Sequence, residues 1–462
     1  MRLEHMDDSS DVVCVGFGPA GIALATAIED ALEAEEDAPS TVFLDRAVSS
    51  AWQPDMLLPG TDIQHHFLRD FATPRNPRSR FTFANFLREQ GRLFPFCLFG
   101  ARVGRIEWSH YVEWTASQVT LPVHYRHDVL RIEPVPENGA VERLLVVARD
   151  LDSGLARQLV ARNVVLSLGQ LPSVPPLFEP LLGPAVFHSS AFLHGIRRFR
   201  PDEAPTFAVV GAGQNAGEII LYLANRFPES TIYSVARNSG FRTYDLGHFS
   251  NQVYFPEETD YFYGLSRAGR EAVFENVRLT NYSSVDPDVS SALYLLTYEE
   301  RLLGRERIHM LSRVQPVDAR EEDGRYRLVL EEVYRGDRRE LDADVIVLCT
   351  GFREQRLPAL LDGLRPYLRL EESGDPVVSR AYRVATDSRL RAGIYLNGMT
   401  EWRHGISNAT SFSMTALRAQ EILDDIRRDK TPRAERRGGE GLATTAMGRG
   451  EARLRGGVQR PW

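Results

Sequence analysis

One order of apolar and polar positions occurs twice along the chain. Residues 12–15 form an unbroken apolar run, residues 16–21 a glycine turn and residues 22–32 an apolar-rich helical stretch. Residues 41–44 are a second apolar run that stops at Asp45. The stretches 207–210, 211–216, 217–226 and 231–236 repeat this sequence of strand, turn, helix and strand. Short, wholly apolar runs bounded by glycine suit strands of a parallel sheet, whose two faces are both covered by helices. Residues 161–175, ending in a Gly/Pro turn, and the runs 343–352 and 393–399 have the same character, and a helix is expected over 412–427. Residues 51–90, punctuated by Pro54, Pro59, Pro74 and Pro77, read as loop, and residues 241–300, rich in aromatics and Asn, as irregular.

The pattern predicts an α/β fold of two Rossmann-like dinucleotide-binding domains, the second inserted in the first. The expected boundaries are a flexible N-terminus over 1–10, a first domain over 11–200, an inserted domain over 201–340 and a return to the first over 341–428. Residues 429–462 are basic, Gly-rich and poor in apolar side chains, which predicts a disordered tail.

Composition adds exclusions. With 43 % apolar and 26 % charged residues the chain is an ordinary globular one. A net charge of −8 argues against nucleic acid or an anionic membrane as partner. The polar opening residues are no signal peptide, and no run reaches the ~18 apolar residues of a membrane span, so a cytoplasmic enzyme is expected. The three cysteines are far apart and make no CxxC, which disfavours a disulfide reductase, and no metal site is expected. Lysine occurs once, at Lys430, so nearly all positive charge is arginine.

The two turns carry the chemistry. Gly16, Gly18 and Gly21, with Pro19 between them, match G-x-G-x-x-G: one glycine for the turn, one for the approach of a pyrophosphate, one for helix–strand packing. The helix start supplies N–H donors to phosphate, and Asp45 is placed for a ribose diol. In the second turn, Gly211, Gly213, Gln214 and Ala216, the third glycine is Ala, and the following strand leads to Arg237 and Arg242 instead of an acid. Arginine pairs with a 2′-phosphate that a carboxylate would repel, which favours NADPH over NADH. Two turns suggest one dinucleotide held and one exchanged, FAD and NADPH, with oxygen the leading electron acceptor.

Several blocks together carry a family resemblance: VGFGPAGIALA, WQPDMLLPG at 52–60, IQHHFLRDFATPRNPRSRFTFANFL at 63–87, VVGAGQNAGEI, NQVYFPEETDYFY at 251–263, TNYSSVD at 280–286, CTGF at 349–352 and TEWRHGIS at 400–407. Over roughly residues 10 to 428 the chain resembles the flavin-dependent N-hydroxylating monooxygenases that act on ornithine and lysine in siderophore biosynthesis. The resemblance implies that NADPH reduces FAD, that O₂ adds to give a C4a-hydroperoxyflavin, and that a neutral primary amine takes the distal oxygen. No covalent protein nucleophile is needed. It further implies that Trp52, Gln64, Thr350, Gly351, His404 and Gly405 lie at the flavin, and that Asn251 and Asn281 hold the amino-acid substrate. Arg69 stands where the family has a lysine for the substrate carboxylate. The frequent tetramer of the family points to a homo-oligomer by analogy.

The departures gather around the substrate. They are Arg69, the pair His65 and His66, Trp402 and Arg403, and a polar loop over 406–415 that contains Thr410. Read as added donors, His65, Arg69, Arg403 and Thr410 lean toward an acidic amino acid such as L-aspartate, oxidised repeatedly at nitrogen toward nitrosuccinate. The alternative is L-ornithine N5- or L-lysine N6-hydroxylation, with the arginines a compositional bias and the histidines satisfied locally.

Overall fold

The structure, a computed structural model, describes residues 9–99, 102–408 and 411–430. The expected disorder at the two ends falls largely on residues 1–8 and 431–462, outside the described residues. Two parallel-sheet units organise the fold. In the first, the strand Ser9–Val15 pairs in parallel with Thr41–Leu44 on one side and Ala156–Leu166 on the other, and Gly393–Leu396 joins the far edge of Ala156–Leu166. The strands His127–Glu137 and Ala140–Asp150 extend it as an antiparallel meander. The second sheet is wholly parallel, in the spatial order Ile308–Ser312, Ile232–Ala236, Phe207–Val210, Val345–Leu348, Val186–His188. Its strands lie in sequence between those of the first sheet, so the second unit is an insertion.

The insertion is wider than the sequence suggests. Val186–His188 precedes the expected start at 201, and Val345–Leu348, expected in the returning domain, is the central neighbour of Phe207–Val210. A run of Val, Ile and Leu says that a strand is buried, not in which sheet. Residues 241–300 are also more regular than expected, with helices over Pro256–Gly264, Arg267–Val277 and Pro287–Leu302. The last carries Tyr294, Leu295, Tyr298 and Leu302 on exposed positions, so its apolar residues trace no single buried stripe. The helix Arg105–Gln118 and the antiparallel hairpin strands Arg325–Glu332 and Arg338–Ala343 also went unread in the pattern.

The first helix, Pro19–Glu33, is buried over most of its length against the C-terminal helix Thr415–Lys430. This second helix runs past the expected end at 427. Its Arg418, 1 % exposed, donates from Nε to Asn397 Oδ1 at 2.9 Å, while Asn397 Nδ2 donates to the carbonyls' side of the first turn at Ala20 O (2.9 Å). A buried guanidinium needs such a partner, because each unmet donor in the core costs about 1–3 kcal/mol.

Candidate active site

The two glycine turns are built alike. Gly16 (φ +101°) and Gly211 (φ +132°) are in a backbone region closed to most L-residues. A Cβ at either would run into a carbonyl at the end of the adjoining parallel strand, Ser167 O for Gly16 and Cys349 O for Gly211. Packing therefore dictates both. Gly21 abuts the carbonyl of Gly16, whereas the second turn accommodates a fully buried Ala216. Gly18 and Gly213 differ from these. Each is the N-cap of a helix with no side-chain cap, and a Cβ at either would meet nothing within 4 Å. The protein itself does not require glycine there, and the space above two sets of free helix N–H donors suits two pyrophosphates. Pro19 and Gln214 are the first helical residues behind them.

Asp45 follows its strand as expected, and its Oδ2 accepts the N–H of Phe17 at 2.5 Å, with Oδ1 on Ala47 N–H at 2.7 Å. The carboxylate thus braces the first turn. Arg237 and Arg242 lie exposed just beyond the strand Ile232–Ala236. Thr350 Oγ1 donates to Ser173 O at 2.6 Å, and the carbonyl of Gly351 (φ +79°) lies 2.9 Å from His188 Nε2.

Beside the second turn, whose Gln214 and Asn215 contribute to its lining, lies a cavity of about 220 Å³. Trp52, Gln64, His65, Arg69, Gln214, Asn251 and Asn281 all line it, so seven residues singled out in sequence come together. The loop that presents Arg69 is pinned by its neighbour Asp70, 1 % exposed, whose carboxylate accepts the N–H of Ala72 (2.9 Å) and of Phe83 (2.8 Å). Arg69 reaches Ser413 Oγ through Nη1 at 2.9 Å, and its guanidinium carbon stands 5.6 Å from the ring of Tyr254. No carboxylate pairs with it among the described residues. Asn251 spends Nδ2 on the carbonyls of Asp245 (2.8 Å) and Gly247 (3.0 Å), a loop-closing role that leaves Oδ1 to the cavity. Asn281 makes no side-chain hydrogen bond among the described residues.

Two of the residues read as donors to an acidic substrate differ in where they lie. His65 is stacked on Phe412 (5.0 Å) and meets Trp108 edge-on (4.9 Å); burial pushes its pKa down to about 3, so it lines the cavity as a neutral ring. Arg403 is absent from the lining: its guanidinium lies 3.9 Å over the Tyr263 ring and donates to Tyr263 O at 3.2 Å. Thr410 lies outside the described residues. His404 is buried, stacked on Tyr382 at 4.2 Å with Nε2 3.1 Å from Ser379 O, and burial pushes its pKa down to about 3; Gly405 (φ +94°) turns the chain after it.

The lining also holds residues that the sequence reading passed over. Tyr244, Tyr254, Asp62 and Asp286 face the cavity. Burial raises the pKa of Asp62 to about 6, opposed by nearby Arg102, and that of Asp286 likewise rises through burial. Arg105, from the first unit, pairs with Glu218 of the second-unit helix through two 2.8 Å hydrogen bonds. Gln214 Nε2 donates to Glu218 Oε1 (2.9 Å), and Gln214 Oε1 accepts Asp286 N–H (2.8 Å). This buried knot joins the two units directly behind the second turn. Tyr254 and Asp286 stood within blocks already noted for their resemblance; nothing local marks the pairing of Arg105 with Glu218.

Comparison with known proteins agrees with this geometry. The family described as L-lysine 6-monooxygenase/L-ornithine 5-monooxygenase matches over residues 8–354. L-ornithine N(5)-monooxygenase of Burkholderia cepacia is 37 % identical, aligned over 91 % of this chain and 94 % of that one. An ornithine N-hydroxylase of Kutzneria sp. 744, solved with reduced FAD, NADP⁺ and L-ornithine, superposes with a TM-score of 0.87 at 34 % identity, covering 92 % of this chain and all of that one. An L-lysine 6-monooxygenase of Pseudomonas syringae gives 0.83 at 40 % identity, covering 91 % and 100 %. Two glycine turns built alike and a polar cavity beside the second, on a chain similar to these proteins over 91 % of its length or more, place this protein in the L-lysine 6-monooxygenase/L-ornithine 5-monooxygenase family, an enzyme family of amino-acid N-hydroxylases.

Proposed function

We propose that the protein is an FAD- and NADPH-dependent monooxygenase that hydroxylates the side-chain amine of L-ornithine or L-lysine. The carrying observation is the charge of the cavity. Among the described residues its lining holds one cation without a carboxylate partner, Arg69, because Arg105 is spent on Glu218, and two carboxylates, Asp286 and an Asp62 that pairs with Arg102 at 3.2 Å. That balance suits a substrate with one carboxylate and a cationic amine. An aspartate-like diacid would bring its second carboxylate against Asp286 and the Arg102-paired Asp62 with no further unpaired arginine in the lining to meet it, and like charges in a half-buried site repel. The lean toward aspartate therefore gives way to its alternative, which the named activities of the relatives also favour.

FAD fits the first turn, where Gly18 leaves room and Asp45 follows, and NADPH the second, where Gly213 leaves room and arginines replace the acid. Reduced by NADPH in the presence of O₂, the flavin supplies the oxygen atom. The chain's own residues do the rest. Arg69 and Asn281 bind the α-carboxylate end and set the reach of the side chain. Trp52, Phe412, His65 and Tyr254 surround the site with rings and exclude water. Asp286, whose pKa burial raises, and Asp62, which Arg102 holds at 3.2 Å, give the cavity the negative charge that draws in the ammonium end of the side chain. The test is steady-state turnover of FAD-loaded protein with NADPH in air, assaying hydroxylamine. L-ornithine or L-lysine should give product, and product from L-aspartate alone would overturn the proposal.

A further inference from the structure

A second cavity, of about 520 Å³, opens where the strand Ile308–Ser312 ends and the hairpin between Arg325–Glu332 and Arg338–Ala343 folds over it. Its charged lining is Arg313, Arg335, Arg338 and Arg339 against Glu332 and Asp337, a surplus of positive charge in a chain that is negative overall. Only some of these arginines are engaged. Arg338 pairs with Glu331 at 2.8 Å and Arg313 stands a loose 3.9 Å from Glu332, whereas the side chains of Arg335 and Arg339 make no hydrogen bond or ion pair among the described residues. Glu332 is itself occupied, its Oε2 accepting the N–H groups of Tyr334 (2.8 Å) and Arg335 (2.5 Å).

The hairpin is tied to the second dinucleotide turn. Arg313 sits in the left-handed region (φ +59°), an unfavourable conformation for a side chain of its size, and is held there from both sides. Its N–H donates to the carbonyl of Asn238, next to Arg237, at 2.8 Å, and its own carbonyl accepts Val333 N–H at 2.8 Å. Arg237, Asn238, Arg313 and the hairpin thus form one backbone-linked rim at the carboxyl ends of the strands Ile232–Ala236 and Ile308–Ser312. Open α/β sheets take their ligands at that end. Ser312 lines both this cavity and an adjoining one floored by Ser234, Ala236 and Gly240. Asn238 Oδ1 is buried on the rim with no hydrogen-bond partner among the described residues, an acceptor left for a ligand donor.

We propose that this hairpin is a phosphate clamp: Arg335 and Arg313 bind the 2′-phosphomonoester at the adenosine end of NADPH, together with Arg237, and set the preference for NADPH over NADH. The inference rests on the reading that the second turn takes NADPH. Guanidinium groups pair with a phosphomonoester through paired N–H donors, and the clamp gives them a frame that neither strand end alone provides.

The test is calorimetric titration of the FAD-loaded enzyme with NADP⁺, NAD⁺, 2′-AMP and 5′-AMP. Arg335→Ala should weaken NADP⁺ and 2′-AMP by roughly tenfold, one charge-assisted contact at a partly exposed site, and leave NAD⁺ and 5′-AMP within about twofold. Arg335→Lys should recover part of the loss, and the salt dependence of NADP⁺ binding should fall in Arg335→Ala. Arg335 has no side-chain partner, so an unchanged melting temperature is expected and checks the fold. Equal losses for NADP⁺ and NAD⁺, or no loss for either, would overturn the clamp. If Gly213→Val leaves NADP⁺ binding intact, it is the NADPH reading of the second turn that fails; if Gly213→Val abolishes binding while Arg335→Ala changes nothing, the clamp alone fails.

Discussion

Removing the Arg69 guanidinium should separate substrate binding from everything else the enzyme does. Among the described residues Arg69 is the one cation of the cavity lining without a carboxylate partner, and its one side-chain hydrogen bond is to the Ser413 hydroxyl at 2.9 Å. A hydrogen bond to a charged group contributes about 1.5–3 kcal/mol, and half-exposure of the site argues for the lower part of that range. At 1.4 kcal/mol per factor of ten, Arg69→Ala should raise the KM for L-ornithine or L-lysine by roughly 10- to 40-fold. Arg69→Lys keeps the charge but not the planar fork, so an intermediate KM is expected. Neither glycine turn touches Arg69, so FAD content and the rate of anaerobic flavin reduction by NADPH should match the parent enzyme. In air the variant should release hydrogen peroxide in place of hydroxylated product at substrate levels that saturate the parent. Initial rates with product and peroxide measured side by side, plus stopped-flow reduction, provide the assay. A KM within threefold of the parent, or loss of FAD, would refute the placement of the carboxylate at Arg69.

Gly213→Val should fill the open space above the second turn, cripple hydride transfer from NADPH and leave FAD bound, measured by stopped flow and by flavin absorbance; release of FAD would reverse the assignment of the turns. Glu218→Ala leaves the guanidinium of Arg105 buried and unpaired and should destabilise the fold by about 3–5 kcal/mol in a denaturant titration, far more than a paired replacement of Arg105 and Glu218 by apolar residues. Glu401, 7 % exposed, accepts the Tyr282 hydroxyl at 2.7 Å, and burial followed by the charge of Glu354 raises its pKa to about 8. A raised carboxyl holds its proton in the folded state after the unfolded chain has lost it, so this group's contribution to stability should fall as pH rises from about 4.5 to about 8 and level off above. Glu401→Gln should remove that slope and gain in melting temperature relative to the parent at pH 9 compared with pH 5; parallel pH curves would refute it.

Legibility in sequence tracked how local each feature is. The glycine turns and their strands could be read because each depends on a few adjacent residues, and three strand runs, 12–15, 41–44 and 207–210, lie within or coincide with observed strands, while the run 393–399 overshoots the strand Gly393–Leu396 by three residues. Sheet membership could not: Val345–Leu348 is as apolar as Gly393–Leu396, yet one pairs with Phe207–Val210 and the other with Ala156–Leu166. The helices Pro256–Gly264 and Pro287–Leu302 begin at prolines, a start signal, but their scattered aromatics hide the period. At the site, the blocks that hold Arg69, Asn251 and Asn281 converge on one cavity. Arg403 did not follow, because the short helix Glu401–His404 turns it onto Tyr263, a contact no spacing announces. The pairing of Arg105 with Glu218 spans 113 residues and exists only once both units are folded together.

The most direct test of the account is a crystal structure of the FAD-loaded protein with NADP⁺ and L-ornithine, or L-lysine if turnover favours it. The account predicts one dinucleotide on each turn, the substrate α-carboxylate within hydrogen-bond distance of the Arg69 guanidinium and Asn281, and the side-chain amine directed at the flavin. A substrate bound with its carboxylate away from Arg69, or seated outside the cavity that Arg69 and Asn281 line, would contradict it.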